Sequence, residues 1–283
     1  MEKVRIIPRL DIKGPNLVKG IHLEGLRVLG KPERFARHYY ENGADELFFQ
    51  DTVASLYERN SLHDIIEKTA KEIFVPLTVG GGLRTIDDIK NVLRAGADKV
   101  AINTAATKNP DFIKEAATKF GSSTIVVAIE VIKETNGQYL VYTDNGREHT
   151  GMEAISWAKQ VEELGAGEIV ITSVDMEGTG EGFELELTSK ISKAVKIPVV
   201  AHGGCGGAAD VSKVIQQTGV DAVTISSVLH YDFITKLNSN EDTFKEEGNI
   251  TFLKSGRGYG KIKPCTLQEI KDYLNQTSIP VRL

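Results

Sequence analysis

Cysteine and long apolar runs are scarce in this sequence. Of its 283 residues only two are cysteines, Cys205 and Cys265, and their spacing fits no metal-binding motif, redox motif or disulfide framework. No apolar run approaches the roughly 20 residues that span a bilayer, and the first residues lack a signal-peptide core. We therefore expect a cytoplasmic protein that does not associate with membranes.

The sequence also lacks an excess of basic residues. Its net charge is −5, which provides no basic surface for DNA or RNA, so no nucleic acid partner is expected. A small anionic substrate remains compatible with this charge, because clustered backbone N–H groups bind an anion locally. No metal-ligand cluster and no Ser-His-Asp arrangement stands out, so we expect no metal and no other cofactor.

Eight short apolar runs alternate with longer amphipathic stretches. We predict strands at residues 5–10, 46–50, 77–79, 99–102, 124–129, 168–172, 199–201 and 222–225. Strands that alternate with helical patterns predict a parallel sheet with helices outside, either open or closed into a barrel.

An internal repeat decides between these two architectures. Similar segments recur at an offset of 122 or 123 residues, in the pairs 42–47 and 164–169, 75–82 and 197–204, and 96–104 and 219–227. Doubling a four-strand unit closes a barrel, whereas doubling an open sheet gives no obvious closure. We predict a single (β/α)₈ TIM barrel over residues 1–283, made of half-barrels at about 1–120 and 121–283.

One segment, at about residues 232–264, interrupts the pattern. It is polar and too long for an ordinary connection. Two interpretations stay open: a solvated surface excursion, or a flap, since the segment follows the eighth strand and should emerge on the catalytic face. A last helix is predicted at residues 266–275.

Glycines and polar residues follow matching strands in the two halves. The predicted anion sites consist of Gly81, Gly82, Asn103 and Thr104 in the first half, and of Gly203, Gly204, Ser226 and Ser227 in the second. Glycine allows close backbone approach, and a helix N-terminus favours negative charge. A single glycine run would indicate only a tight turn, but the repetition favours phosphate binding. Two such sites around one mouth imply a ligand with two phosphate groups.

Carboxylates show the same symmetry. Asp11 and Glu130 end the first and fifth strands, and Asp51 and Asp175 end the second and sixth. Opposed carboxyls between two phosphate sites suit general acid–base catalysis, which we predict for Asp11 and Glu130, whereas structural support is nearly as plausible for Asp51 and Asp175. Lys19, in a predicted loop at residues 14–30, either reaches the ligand from a mobile lid or is solvent-exposed.

Several segments carry a family resemblance. They include Leu-Asp-Ile-Lys at 10–13, Val-Lys-Gly at 18–20, Leu-Thr-Val-Gly-Gly-Gly at 77–82, Asp-Lys-Val-Ala-Ile-Asn-Thr-Ala-Ala at 98–106, Gly-Ala-Gly-Glu-Ile at 165–169 and Val-Asp-Met-Glu-Gly-Thr at 174–179. Through them the chain resembles, over nearly its whole length, the cyclase subunit of imidazole glycerol phosphate synthase (the HisF family).

The resemblance implies a lyase of histidine biosynthesis that works with a glutaminase subunit (HisH-like). Ammonia from the glutaminase would react with phosphoribulosyl-formimino-carboxamide ribonucleotide. The products would be imidazole glycerol phosphate and aminoimidazole carboxamide ribonucleotide. This substrate carries a phosphate at each end, as the repeat suggests.

The resemblance also assigns roles to residues. The catalytic pair falls on Asp11 and Glu130, and further phosphate contacts fall on Glu177 and Gly178. An ammonia gate, at the N-terminal face where the glutaminase would dock, falls on Arg5, Glu46, Lys99 and Glu168.

Three positions depart from the family. Aspartate is replaced at Glu130 and Glu177, and cysteine is replaced at Arg9. We expect Arg9 to pair with Glu130, which would lower the pKa of that carboxyl. Altered catalytic surroundings beside an intact gate leave a second hypothesis open, a paralogue that delivers ammonia to an enzyme of acetamidino-sugar synthesis. A third, the related isomerase barrel, is disfavoured by the gate.

Overall fold

The computed structural model describes residues 3–54, 62–237 and 260–282. Its strands are β1 (Arg5–Lys13), β2 (Asn16–Ile21), β3 (Glu24–Gly30), β4 (Leu47–Asp51), β5 (Leu77–Gly80), β6 (Lys99–Ile102), β7 (Ile125–Lys133), β8 (Tyr139–Thr143), β9 (Glu148–Glu153), β10 (Glu168–Ser173), β11 (Val199–His202) and β12 (Ala222–Ile225). Eight of them, β1, β4–β7 and β10–β12, pair in parallel and close a barrel, because β7 pairs with β10 and β12 pairs with β1. The predicted TIM barrel is confirmed, and each of the eight predicted strands overlaps a barrel strand. The boundaries of the half-barrels stay a prediction.

Helices connect the strands and cover the outside of the barrel. They are α1 (Pro32–Glu41), α2 (His63–Ala70), α3 (Ile86–Ala95), α4 (Thr104–Lys108), α5 (Asp111–Phe120), α6 (Ala154–Glu163), α7 (Leu185–Ala194), α8 (Ala208–Thr218), α9 (Ser227–Lys236) and α10 (Leu267–Gln276). Local sequence explains α3: Thr85 and Asp88 form a capping box at its start, and Gly96 ends it with a φ of 117°. The last helix, α10, confirms the one predicted at residues 266–275.

Side chains that point into the barrel form layers. Alternate residues of a strand face the same side of a sheet, so β1 presents Arg5, Ile7, Arg9 and Asp11 to the interior in that order. At the level of Ile7 the interior is apolar and consists of Ile7, Phe48, Ala101, Val126, Val170, Val200 and Ala222. This layer separates the charged groups at the two ends of the barrel. A larger apolar core lies between the strands and the helices.

Two antiparallel hairpins extend the barrel at its carboxyl end. β2 and β3 continue from β1, and β8 and β9 continue from β7, at corresponding positions in the two halves. The expected loop at residues 14–30 is therefore wrong: this segment is the hairpin β2–β3. Lys19 on β2 is buried rather than solvent-exposed, because it faces the barrel mouth and not the outer side of the hairpin.

The predicted excursion at about residues 232–264 is described only at its ends. α9 extends to Lys236, and the chain is described again from Gly260. Residues 238–259 lie outside the described part of the chain, so the choice between a flap and a surface excursion stays open.

Candidate active site

A large cavity opens at the carboxyl ends of the strands in the first half. Its volume is about 550 Å³. The predicted site residues that line it are Asp51, Gly81, Gly82, Asn103, Thr104 and Glu130. The fold thus brings the first predicted anion site and one of the two predicted catalytic carboxyls together.

The backbone at this cavity requires glycine. Gly81 has a φ of 101°, and a Cβ atom there would lie 2.4 Å from the carbonyl oxygen of Asp51. Gly82 also has a positive φ, of 72°. Asn103 and Thr104 follow at the end of β6, where α4 begins. Exposed backbone and a helix start therefore adjoin the same space, which is an arrangement that suits an anion.

Glu130 has an unusual protonation equilibrium. Its Oε2 accepts a hydrogen bond of 2.8 Å from the backbone N–H of Gly146. Burial raises the pKa of this carboxyl to about 7, although the hydrogen bonds from Gly146 and Asn103 and the charge of Arg9 oppose the shift. At neutral pH a large fraction of Glu130 is therefore protonated, which suits a general acid.

The prediction that Arg9 pairs with Glu130 is wrong. Arg9 instead donates from Nε to Oδ1 of Asp11 over 2.9 Å. Both residues project from β1 into the barrel, two positions apart, so Asp11 is the nearer carboxylate. The pKa of Glu130 is consequently raised and not lowered as expected.

Asp11 belongs to a buried chain of four alternating charges, which we call the mouth quartet: Arg9, Asp11, Lys19 and Glu177. Lys19 Nζ lies 3.8 Å from Oδ2 of Asp11 and forms an ion pair with Glu177. Burial alone would raise the pKa of Asp11, but the charges of Arg9 and Lys19 outweigh it and hold that pKa below its usual value. Asp11 is therefore ionised beside a partly protonated Glu130.

The second predicted anion site is nearly closed. Its cavity measures about 20 Å³, close to the space of one water molecule. The predicted residues around it are Lys19, Glu177, Gly178, Gly203, Gly204, Ser226 and Ser227.

The hairpin β2–β3 closes this second site. A Cβ atom on Gly178 would lie 2.7 Å from the carbonyl oxygen of Gly20, and Glu177 binds both Lys19 and the N–H of Leu23, the latter at 3.0 Å. The backbone N–H of Glu177 is bound to carbonyl oxygens of its own turn. The contacts of Glu177 are thus to the hairpin, and the hairpin must shift before a phosphate can enter.

Asp51 and Asp175, the aspartates predicted to act in catalysis or in structural support, have different surroundings. Asp51 borders the large cavity while its Oδ1 accepts the N–H groups of Val53 and Ala54, each at 3.0 Å. Asp175 is exposed, lies in neither cavity, and accepts the N–H of Lys133 at 2.8 Å. The contact of Asp175 is structural, since it holds the end of β7.

The turn between β8 and β9 was missed by the sequence reasoning. Asp144, Asn145 and Arg147 line the large cavity, and Gly146 binds Glu130. Asp144, Asn145 and Gly146 have positive φ values of 54°, 62° and 75°. Asn-Gly between two strands is a strong hairpin signal, so the sequence did contain the information.

The four predicted gate residues meet at the opposite end of the barrel. Arg5 pairs with Glu46 at 2.7 Å and also with Glu168, and Lys99 lies 3.1 Å from each of these carboxylates. Burial would lower the pKa of Arg5, but the two carboxylates raise it above its ordinary value. The result is a closed ring of alternating charges, which we call the gate. A cavity of about 520 Å³ lies against it.

Comparison with known proteins assigns the chain to a family. Residues 5–235 match the family described as histidine biosynthesis protein. The "Imidazole glycerol phosphate synthase subunit HisF" of Legionella pneumophila is 59% identical over 206 residues, which cover 73% of this chain and 97% of the relative. The same subunit of Bacillus cereus (strain Q1) is 50% identical over 227 residues, 80% of this chain and 90% of the relative. The chain belongs to the HisF family.

The resemblance seen in the sequence is confirmed by these relatives. With it the prediction of a cyclase subunit of imidazole glycerol phosphate synthase is confirmed, and the relatives favour it over an ammonia-delivering paralogue. Among the described residues, no helix is long and apolar enough to cross a membrane, and no group of three or more His, Cys, Asp or Glu side chains is placed to hold a metal. The roles of individual HisF-family residues in this chain stay predictions.

The raised pKa of Glu130 predicts a pH-dependent stability difference. Between pH 4.5 and about 7 native Glu130 keeps a proton that the unfolded chain has lost, so its stabilising contribution declines as the pH rises through this window. Glu130→Gln imitates the protonated carboxyl. We expect it to raise the melting temperature relative to wild type at pH 8 and to change it little at pH 5. The exposed Glu115→Gln serves as the control, and equal shifts of the Glu130 variant at both pH values would contradict the assignment.

Proposed function

We propose that the mouth of the barrel joins ammonia to phosphoribulosyl-formimino-carboxamide ribonucleotide. The products are imidazole glycerol phosphate and aminoimidazole carboxamide ribonucleotide. One observation carries the residue assignment: a partly protonated Glu130 lines the large cavity of the first site, and an ionised Asp11 lies 3.8 Å from Lys19, which lines the second site. Membership of the HisF family supports the reaction itself. The enzyme would work in the cytoplasm.

The two carboxyls divide the proton transfers. Nitrogen that attacks carbon must lose a proton, and a departing nitrogen or oxygen must gain one. Glu130, with a pKa of about 7, supplies the proton. Asp11 is ionised before the reaction, stabilises the positive charge on the attacking nitrogen and then accepts its proton. Carboxyls whose environments separate their pKa values take such complementary roles.

The glycine-lined sites hold the two phosphates. In the first half, Gly81, Gly82, Asn103 and Thr104 offer backbone N–H groups and polar side chains at an open cavity. In the second half, Gly178, Gly203, Gly204, Ser226 and Ser227 offer the same once the hairpin β2–β3 has moved. Lys19 then neutralises charge on the ligand, and Glu177 holds Lys19 in the unliganded state. Binding at both ends orients the reacting centre over the carboxyls.

A glutaminase subunit supplies ammonia from the N-terminal face. The gate leads to the apolar layer, which a neutral molecule crosses more readily than an ion. At the same end of the barrel, just before β5, Phe74 is 81% exposed and contacts Tyr40 with ring centroids 5.9 Å apart. A solvent-exposed aromatic next to a cavity of about 370 Å³ is typical of an interface anchor. We place the docking face here.

The reaction predicts ammonia-dependent turnover by the isolated chain. With ammonium salt at alkaline pH and the bisphosphate substrate, both products should form, and Asp11→Asn should abolish their formation because the anionic partner is lost. Liquid chromatography of the two nucleotides measures this. Asp111→Asn, on the exposed start of α5, is the control. Stimulation of a glutaminase without any turnover would instead favour the ammonia-delivering paralogue.

The first anion site predicts loss of phosphate binding in Gly81→Ala. The new Cβ would displace the backbone from Asp51, so the affinity for inorganic phosphate should fall by about tenfold or more, equivalent to about 1.4 kcal/mol. Isothermal titration calorimetry measures it. Gly121→Ala is a matched control, because Gly121 has a similar φ of 89° but no atom within 4 Å of the added Cβ. Unchanged binding in Gly81→Ala would refute the site.

The docking face predicts a defect in Phe74→Glu. Placing a charge on the aromatic anchor should weaken the complex with a HisH-type glutaminase by about tenfold or more, as measured by fluorescence anisotropy of labelled glutaminase. Ile21→Glu is the control, since Ile21 is also an exposed apolar residue, at 52%, but lies at the opposite, mouth end. Weaker glutaminase binding by Ile21→Glu, with unchanged binding by Phe74→Glu, would contradict this docking face and place the interface at the mouth.

A further inference from the structure

Arg9 is a buried cation in the middle of the barrel. It lies between the apolar layer and Asp11, and only 5% of its surface is exposed. A buried guanidinium is costly unless hydrogen bonds and opposite charge compensate it. Its contacts therefore indicate what the residue does.

Four strands hold the guanidinium of Arg9. From β1 itself, Asp11 accepts from Nε at 2.9 Å. From β10 and β11, Thr172 Oγ1 lies 3.5 Å and His202 Nδ1 lies 3.3 Å from Nη1. From β4, the ring of Phe48 lies beneath, with its centroid 5.5 Å from Cζ. The planar group is thus fixed in position and orientation, as the geometry of arginine permits.

His202 is suited to accept from Arg9. Burial, together with the charges of Arg9 and Lys19, holds the pKa of His202 well below its usual value. The ring is therefore neutral, and in the tautomer with the proton on Nε2 its Nδ1 accepts from the guanidinium. Thr172 also lies within 3.1 Å of the same nitrogen. Thr172 and His202 are neutral, so they orient the guanidinium of Arg9 while Asp11 remains its anionic partner.

We propose that Arg9 is a positioning residue that holds Asp11 in place and keeps it anionic, so that Asp11 differs in protonation from Glu130. The catalytic consequence rests on the proposed cyclase function, whereas the effect on Asp11 does not. Arg9 also lines the large cavity, but the role proposed for it acts through Asp11, by the hydrogen bond from Nε to Oδ1.

The other titratable groups around Asp11 stabilise its anionic form less than Arg9 does. Lys19 on β2 is farther away, at 3.8 Å, and is shared with Glu177. His230 on α9 is neutral, since burial lowers its pKa to about 3. A short hydrogen bond to a permanent cation in a buried setting is therefore the strongest electrostatic contact of Asp11.

The pH dependence of turnover tests the proposal. Arg9→Met keeps an unbranched side chain as far as the position of Nε but removes the cation, so both Asp11 and Glu130 lose stabilisation of their ionised forms. Both limbs of the profile of kcat/KM, calculated per unprotonated ammonia, should move to higher pH, by about one unit or more for the limb of Asp11. Arg9→Lys keeps a charge without the planar fork. It should restore the pH profile while kcat stays low. Arg37→Met, on the exposed face of α1, is the control.

An infrared titration tests the same proposal without turnover. The protonated-carboxyl band that disappears in Asp11→Asn should develop below the usual pH of an aspartate in the wild-type protein. In Arg9→Met it should develop at higher pH, and in Arg9→Lys, which also guards against misfolding of the Met variant, close to the wild-type pH. An unchanged midpoint in Arg9→Met would overturn the role of Arg9. If the wild-type protein shows no turnover but the infrared midpoints are as expected, the cyclase assignment is overturned and the role of Arg9 is not.

Discussion

Charge compensation inside the barrel is the constraint on which the rest of the structure depends. Every second residue of a barrel strand points inward, so a charged side chain there needs a neighbour of opposite sign. The chain meets this requirement twice, with the gate at one end and the mouth quartet at the other. Each contains two cations and two anions, and the apolar layer lies between them. The interior is therefore neutral at both ends and apolar in the middle, which suits the passage of an uncharged molecule.

Among the described residues, the carboxyl of Glu130 forms no ion pair of this kind. Its hydrogen-bond partners Gly146 and Asn103 carry no charge, and the nearby charges of Arg9 and Asp144 shift its pKa in opposite directions. Burial consequently dominates, and the pKa rises to about 7. Asp11 is also buried, but it lies between two cations, so its pKa falls. Two carboxyls at corresponding positions of a repeated fold thus differ in protonation because the charges beside them were not repeated: Arg9 has no counterpart of like charge on β7, where Ala128 faces the cavity.

Sequence reasoning succeeded where a one-dimensional pattern determines the outcome. The eight strands follow from periodicity and from the repeat. The family resemblance singled out Arg5, Glu46, Lys99 and Glu168, which the fold brings together, while their role as a gate stays a prediction. Sequence reasoning failed where the outcome depends on side-chain direction. Position 9 was known to be an arginine, but whether it meets Asp11 or Glu130 depends on the rotamer and on which strands surround it. The segment at residues 14–30 was expected to be a loop, whereas hydrogen bonding to β1 makes it a hairpin.

The two hairpins show why neither predicted half-barrel could form its site alone. The hairpin of the first half, β2–β3, lies over the anion site of the second half through Lys19 and Glu177. The hairpin of the second half, β8–β9, borders the anion site of the first half and binds the carbonyl oxygen of Thr52 through Asn145, at 2.6 Å. Across the mouth the hairpins meet in an exposed ion pair between Arg147 and Glu24, at 3.3 Å. Exposed pairs are weak, so this contact can open at little cost. Each half thus contributes the cover of the predicted anion site of the other half. The difference between about 550 and about 20 Å³ shows that the cover of the second site is closed, whereas the first site is open.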